Sequence, residues 1–199
     1  MSYPVRLDVD YVERRSRLTT FLRILLAIPL MVVGYVYGIA LSIVVLLAWF
    51  VLLFTGRWPS GMHKFAAGAL RFTARSNAYV LLLVDRYPPF GLDPDDGYPA
   101  RLRVAPPLDR YSRLKVLFRF IYVIPAAVIA YVLGIFASLL ALASWLVIVI
   151  TGRQPEGLQN AMFFCLSYTI RAYALMYLLT ETYPPFDAAD AATTAPALA

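Results

Sequence analysis

Cysteine and histidine are almost missing: Cys165 and His63 are the single copies in 199 residues. One cysteine excludes an intrachain disulfide framework and a cysteine-based metal cluster. The lone histidine stands at a predicted helix start and is expected on the surface, not as a ligand or general base. Charge is scarce as well, at 15% of residues against 61% hydrophobic, a balance outside the range of ordinary soluble domains. The scarcity is concentrated. Arg23 is the only charge in 21–54, and Arg119 the only one in 117–150. With no acid inside those blocks, a proton relay has nothing to run on. A glycine-rich phosphate loop, a nucleophile elbow and a convergent nucleophile–base pair are lacking too, so neither enzyme nor cofactor is expected. No basic run interleaves with stacking aromatics, which argues against nucleic acid as a partner.

What is present is apolar sequence in long runs. The block 21–54 exceeds the roughly 20 residues that cross a bilayer once, so an integral membrane protein is expected. Lys plus Arg exceed Asp plus Glu by 18 to 12, giving a net charge of +6. In such a chain a basic excess reports topology and contact with anionic lipid. Arg14, Arg15 and Arg17 precede the first run, but that run is too long for a signal-peptide core and lacks a small-residue cleavage site.

The chain is also written twice. At a fixed offset of 96, residues 11–90 and 107–186 share 31 identities in 80 positions without a gap. Ser16-Arg17-Leu18 returns as Ser112-Arg113-Leu114, Arg23 as Arg119, Pro29 as Pro125 and Trp49 as Trp145. Thr55-Gly56-Arg57 returns as Thr151-Gly152-Arg153, Arg75 as Arg171, and Tyr87-Pro88-Pro89-Phe90 as Tyr183-Pro184-Pro185-Phe186. A tandem duplication predicts a pseudo-twofold bundle. The first repeat is expected over 1–92, a linker over 93–97, the second repeat over 98–187 and a disordered tail over 188–199.

The expected fold is an all-α membrane protein made of two transmembrane or re-entrant hairpins, 18–54 and 114–150. A straight helix over the whole block would be about 55 Å long, nearly twice the roughly 30 Å hydrocarbon core, so a break near 34–38 is predicted. Gly34, Gly38 and Ser42, with Ala130, Gly134 and Ser138 in the second copy, serve either as close-packing small residues or as the turn itself. Ser42 and Ser138 are expected to bond their own backbone. Interfacial amphipathic helices are predicted over 62–84 and 158–179, the second also able to enter the membrane more deeply. Placing Arg71 and Arg75 at mid-span would cost roughly 2.5–3.5 kcal/mol each. The YPPF elements are expected to stop these helices. Short arms near 3–11 and 98–104 alternate like half-buried strands, pairing as a ribbon or lying extended on headgroups.

Arg23, Arg57, Lys64, Arg71, Arg75, Arg119, Arg153 and Arg171 are the candidate contacts to anionic lipid, with snorkelling the plain alternative for Arg23 and Arg119. Asp85 and Glu181 are matched acids expected to pair with Arg75 and Arg171 or with the hairpin-end arginines.

The combination of YPxRL, SRL, IP, a tryptophan, TGRxPxG and YPPF, present in both copies, resembles a bacterial multi-pass membrane family known as a domain of unknown function (DUF4389-like). The resemblance covers nearly the whole chain. It implies a multi-pass membrane protein and supplies no catalytic residue. The second copy departs from the pattern where Gln154 replaces Trp58 and Glu181-Thr182 replaces Asp85-Arg86. The expected function is a non-enzymatic accessory or scaffold protein of the bacterial inner membrane, both termini cytoplasmic. It would engage anionic lipid and a membrane-protein partner or form a homo-oligomer. A small transporter or channel subunit with pseudo-twofold repeats is the alternative.

Overall fold

The computed structural model describes residues 3–186, so the expected tail lies outside the described residues. The element order is β1 (Val5–Val9), α1 (Arg17–Phe21), α2 (Arg23–Thr55), α3 (Ser60–Val80), β2 (Ala100–Val104), α4 (Arg113–Leu117), α5 (Arg119–Thr151) and α6 (Glu156–Met176). The architecture is mostly helical, with one two-stranded antiparallel sheet where an all-α chain was expected.

The predicted hairpins do not form. α2 and α5 are each continuous over 33 residues, through Gly34–Gly38 and through Gly134. A glycine inside a helix costs only about 1 kcal/mol relative to alanine, and the flanking apolar residues carry the helix past it. Pro29 and Pro125 are also accommodated inside the helices. Both helices stop where the sequence supplies a left-handed residue: Gly56 at φ 69° and Gly152 at φ 73° donate their N–H back to Leu52 and Ile148.

The glycines among the small residues do not form a close helix–helix seam. Only Gly34 faces a neighbour, with its missing Cβ 3.6 Å from the Phe72 ring; Gly38 and Gly134 have open space. Ala130 packs into a cluster with Ala126, Tyr168, Ala172 and Leu175. The hydroxyls of Ser42 and Ser138 donate to Ile39 and Gly134 carbonyls at 2.7 and 2.9 Å, as expected.

α3 runs back along α2, and α6 along α5. These are core helices, not free interfacial ones: Ala66, Leu70, Phe72, Ala78 and Tyr79 of α3 are buried, as are Met162, Phe163, Leu166 and Ile170 of α6. What covers them is the pair of arms. β1 and β2 pair in the register Val5↔Val104, Leu7↔Leu102 and Val9↔Ala100. Val5, Leu7, Val9, Ala100 and Leu102 point into the core, while Arg6, Asp8, Arg101 and Arg103 line the outer face. β2, which precedes the second repeat, lies on α3 of the first; β1 lies on α6 of the second. The arms are therefore exchanged between the copies.

Equivalent contacts recur across the seam at the offset of 96. Arg15 N–H donates to Gly152 O at 3.0 Å and Tyr111 N–H to Gly56 O at 2.9 Å. The Trp49 indole donates to Val116 O at 2.9 Å, and the Trp145 indole to Thr20 O at 3.1 Å. Each helix thus touches, near its C-terminal end, the turn preceding the other, so α2 and α5 are antiparallel. A pseudo-twofold axis perpendicular to them passes through the Leu7–Leu102 pair, and the ribbon closes one pole of it. Self-complementary contacts of this kind are what a twofold interface requires.

One packing contact is testable alone. A Cβ built on Gly68 would lie 2.7 Å from Leu92 Cβ and 2.9 Å from Leu92 O. Gly68→Ala is expected to destabilise by about 1–3 kcal/mol through overpacking, measured as a lower melting temperature in detergent. An unchanged or raised melting point would show that the 91–97 segment yields freely.

Candidate functional site

The eight basic candidates separate into two sets. Arg23, Arg75, Arg119 and Arg171 are buried, at 3–4% exposure, whereas Arg57, Lys64 and Arg153 are exposed and Arg71 is half-buried. The buried four are thereby corrected as lipid contacts, because backbone carbonyls have taken their guanidinium groups inward.

The reason lies at the ends of α3 and α6. Leu82 and Leu178 occupy the left-handed region, at φ 61° and 63°. Leu83 N–H returns to Ala78 O and Leu82 N–H to Tyr79 O, with the same pair at Leu179–Ala174 and Leu178–Leu175. This is a Schellman closure with leucine at the position usually held by glycine. A left-handed leucine costs roughly 1–2 kcal/mol. Both side chains are buried, which returns about 1.5–3 kcal/mol and decides for leucine. The arginines add second donors to Tyr79 O and Leu175 O at these closures and reach carbonyls just beyond the helix ends. Arg23 donates to Tyr79 O at 2.5 Å, Val84 O at 2.9 Å and Asp85 Oδ1 at 2.7 Å, with its guanidinium 4.4 Å from the Tyr79 ring centre. Arg119 donates to Leu175 O and, at 2.5 Å, to Thr180 O. A fork of N–H donors at a helix C-terminus satisfies both hydrogen bonding and the helix dipole.

The helices end at these closures, upstream of the YPPF elements, which act as straps. Arg75 holds the first by donating to Gly91 O at 3.0 Å and Asp93 O at 3.1 Å; Arg171 holds the second through Pro185 O at 3.4 Å. Tyr37 ties the first strap to α2 by donating to Phe90 O at 3.0 Å. The matched acids pair otherwise than expected: Asp85 with Arg23 and Arg15, Glu181 with Lys115 and the Ser112 N–H. Sequence reasoning found Arg23 and Arg119 as matched charges but missed their acceptors, because main-chain carbonyls leave no mark in a sequence. His63 is buried against the edge of Trp58, not on the surface, and burial together with nearby Arg71 pushes its pKa down.

Two surfaces remain. Exposed arginines gather at both ends of the long helices: Arg14, Arg17 and Arg153 at one, Arg57, Arg110 and Arg113 at the other. Between them, large apolar side chains are exposed along α1–α2 and α4–α5, while among the described residues α3 and α6 carry none. α2 buries one stripe, Ala27, Leu30, Leu41, Ala48 and Leu52, and leaves the rest of its circumference apolar and open. Both helices are long and apolar enough to cross a membrane. At the seam a cleft of about 470 Å³ is lined by Leu41, Val45, Trp49, Phe120 and Val123. Arg119 borders it with its guanidinium turned to the Leu175 and Thr180 carbonyls, so the wall is mostly apolar, with Ser42 and Tyr177 its other polar side chains.

A family model described as a domain of unknown function (DUF4389) matches residues 17–91 and again 113–187. No curated protein and no solved structure matches the chain. The two matches take in both long helices, both arginine-capped core helices and both YPPF straps, and the chain belongs to the DUF4389 family as two tandem copies.

Proposed function

We propose that the chain is a non-enzymatic accessory or scaffold module embedded in a cell membrane. It holds anionic lipid along its apolar helices and presents its polar side to a membrane-protein partner or a second copy. The observation that carries this reading is the concentration of exposed large apolar side chains along α1–α2 and α4–α5, with Val12, Phe90, Leu108 and Phe186 the exceptions among the described residues. Covering one such side chain is worth about 1.5–3 kcal/mol, and a surface of this extent is not one a soluble monomer keeps in water. The charge pattern points the same way. Arginines flank the apolar helices at both ends, and each contributes about 1 kcal/mol near an anionic surface. The described chain ends lie together, the Tyr3 hydroxyl donating to Thr182 O at 3.3 Å, which supports both termini on one side, the cytoplasmic one.

The test uses the full chain synthesised in the presence of vesicles and recovered by flotation. Binding to phosphatidylglycerol-containing vesicles is expected to exceed binding to phosphatidylcholine vesicles. Arg57→Gln with Arg113→Gln is expected to weaken the anionic binding by about 2 kcal/mol, roughly thirtyfold. Failure to float, or equal binding to both lipids, contradicts the reading.

A further inference from the structure

We infer that the protein lies flat in a single leaflet of an anionic bilayer. α2 and α5 run parallel to the membrane plane, the pseudo-twofold axis stands along the membrane normal, and the outer face of the ribbon meets water. This orientation rests on the membrane reading proposed above and supplies what that reading leaves open, namely which lipid surface the helices engage and how.

The position of the ribbon decides it. Because α2 and α5 are antiparallel, the axis relating them is perpendicular to both, and the ribbon sits on that axis at Leu7–Leu102. Were the helices upright, the axis would lie in the membrane at mid-depth. Arg6, Asp8, Arg101 and Arg103 would then stand at the hydrocarbon centre, outside the protein core. Ionisable groups in a membrane face a protein interior or water, not lipid. Turned flat, the same residues project from the pole farthest from lipid.

Length points to the same orientation. Each long helix measures about 50 Å. The two are also staggered, Trp49 standing level with Val116 and Trp145 with Thr20, so the pair is longer than either helix. A hydrocarbon core of roughly 30 Å cannot enclose it upright. A helix in the plane meets no such limit. Exposure agrees along the whole length: Leu25, Ile39 and Phe54 are 63%, 48% and 72% exposed, and their equivalents Ile121, Ile135 and Ile150 are 68%, 49% and 72%. At 3.6 residues per turn each trio falls on one side of its helix.

Charge completes the match to a leaflet. Arg14, Arg17 and Arg153 at one end of the pair mirror Arg110, Arg113 and Arg57 at the other. Upright helices would put equally basic ends on opposite sides, against the usual cytoplasmic bias. Flat helices place both ends at one headgroup level, where anionic lipid is available to each.

Variants that add one cysteine to the full chain test this: Leu25→Cys, Ile39→Cys, Phe54→Cys and Arg6→Cys, each labelled with bimane, with the parent chain, whose Cys165 is buried, as the control for labelling at that site. The chain is inserted into phosphatidylglycerol-containing vesicles with nitroxide at carbon 5 or carbon 12 of the lipid. Flat insertion gives carbon-5 to carbon-12 quenching ratios that agree within twofold at positions 25, 39 and 54. Position 6 is then unquenched and open to a membrane-impermeant thiol reagent. A ratio at position 39 several-fold below those at 25 and 54, or quenching at position 6, overturns the orientation while leaving membrane insertion in place. Absence of quenching at all four positions, with no flotation, removes the membrane reading itself.

Discussion

Arg23→Met is expected to lower stability by about 3–5 kcal/mol, because it strips Val84 O and Asp85 Oδ1 of their donor, and Arg119→Met by about 1–3 kcal/mol, because it strips Thr180 O. Arg23 serves Tyr79 O, Val84 O and Asp85 at once, at 3% exposure. For a chain of this size the loss corresponds to a melting temperature lower by about 6–20 °C. Lysine is not a substitute. An ammonium is a compact point charge, whereas the guanidinium fork spans two carbonyls and a carboxylate, so Arg23→Lys is expected to recover little. Exposed Arg57 provides the control, since Arg57→Met should move stability by less than about 0.5 kcal/mol. Thermal melts of the four variants in one detergent decide the matter. Arg23→Met melting within a degree or two of wild type would mean that the C-terminus of α3 closes without it.

The second large effect is expected at Trp58. Its indole is buried at the start of α3, lies edge-on to His63, and donates to Leu178 O at 3.0 Å, the residue held in the left-handed conformation at the end of α6. One side chain thus joins the beginning of the first core helix to the end of the second. Trp58→Ala removes both ring and hydrogen bond and should cost about 3–5 kcal/mol. Trp58→Phe keeps most of the packing and should cost about 1–3 kcal/mol, the penalty of an unpaired buried carbonyl. Chemical denaturation followed by the fluorescence of Trp49 and Trp145 separates the two. Equal losses for Ala and Phe would assign the whole effect to the hydrogen bond. The second copy has buried Gln154 at this point, hydrogen-bonded to Ser144 Oγ at 3.4 Å, so the symmetry of the seam is broken here.

Much of this was visible in the residues. The duplication, both apolar blocks, the TGR ends of the long helices and the alternation of the arms follow from spacing and from glycine's access to positive φ. Whether the arms paired was left open by the alternation of Val5, Leu7 and Val9; their exchange between copies depends on Tyr98 meeting Arg86 O and Tyr3 meeting Thr182 O, tertiary contacts with no local sign. The hairpins failed for a specific reason. A break at 34–38 follows from bilayer thickness alone, whereas the residues themselves favour continuity, since an apolar helix tolerates single glycines at about 1 kcal/mol each. The core helices carry a different lesson: the stripe of Lys64, Arg71 and Arg75 resembles a headgroup-facing edge, yet Arg75 turns to Gly91 and Asp93 carbonyls in a strap whose path cannot be inferred from the helix alone. Arg171 repeats this at the second strap.

Polarised infrared spectroscopy of the full chain in oriented anionic bilayers tests the account most directly. α2 and α5, the two longest helices, are antiparallel, so their amide I signals share one direction. The prediction is an amide I dichroism in which the helix axes lie close to the membrane plane. Axes close to the membrane normal would contradict it, and would require the charged ribbon to be covered by a second protein surface within the bilayer.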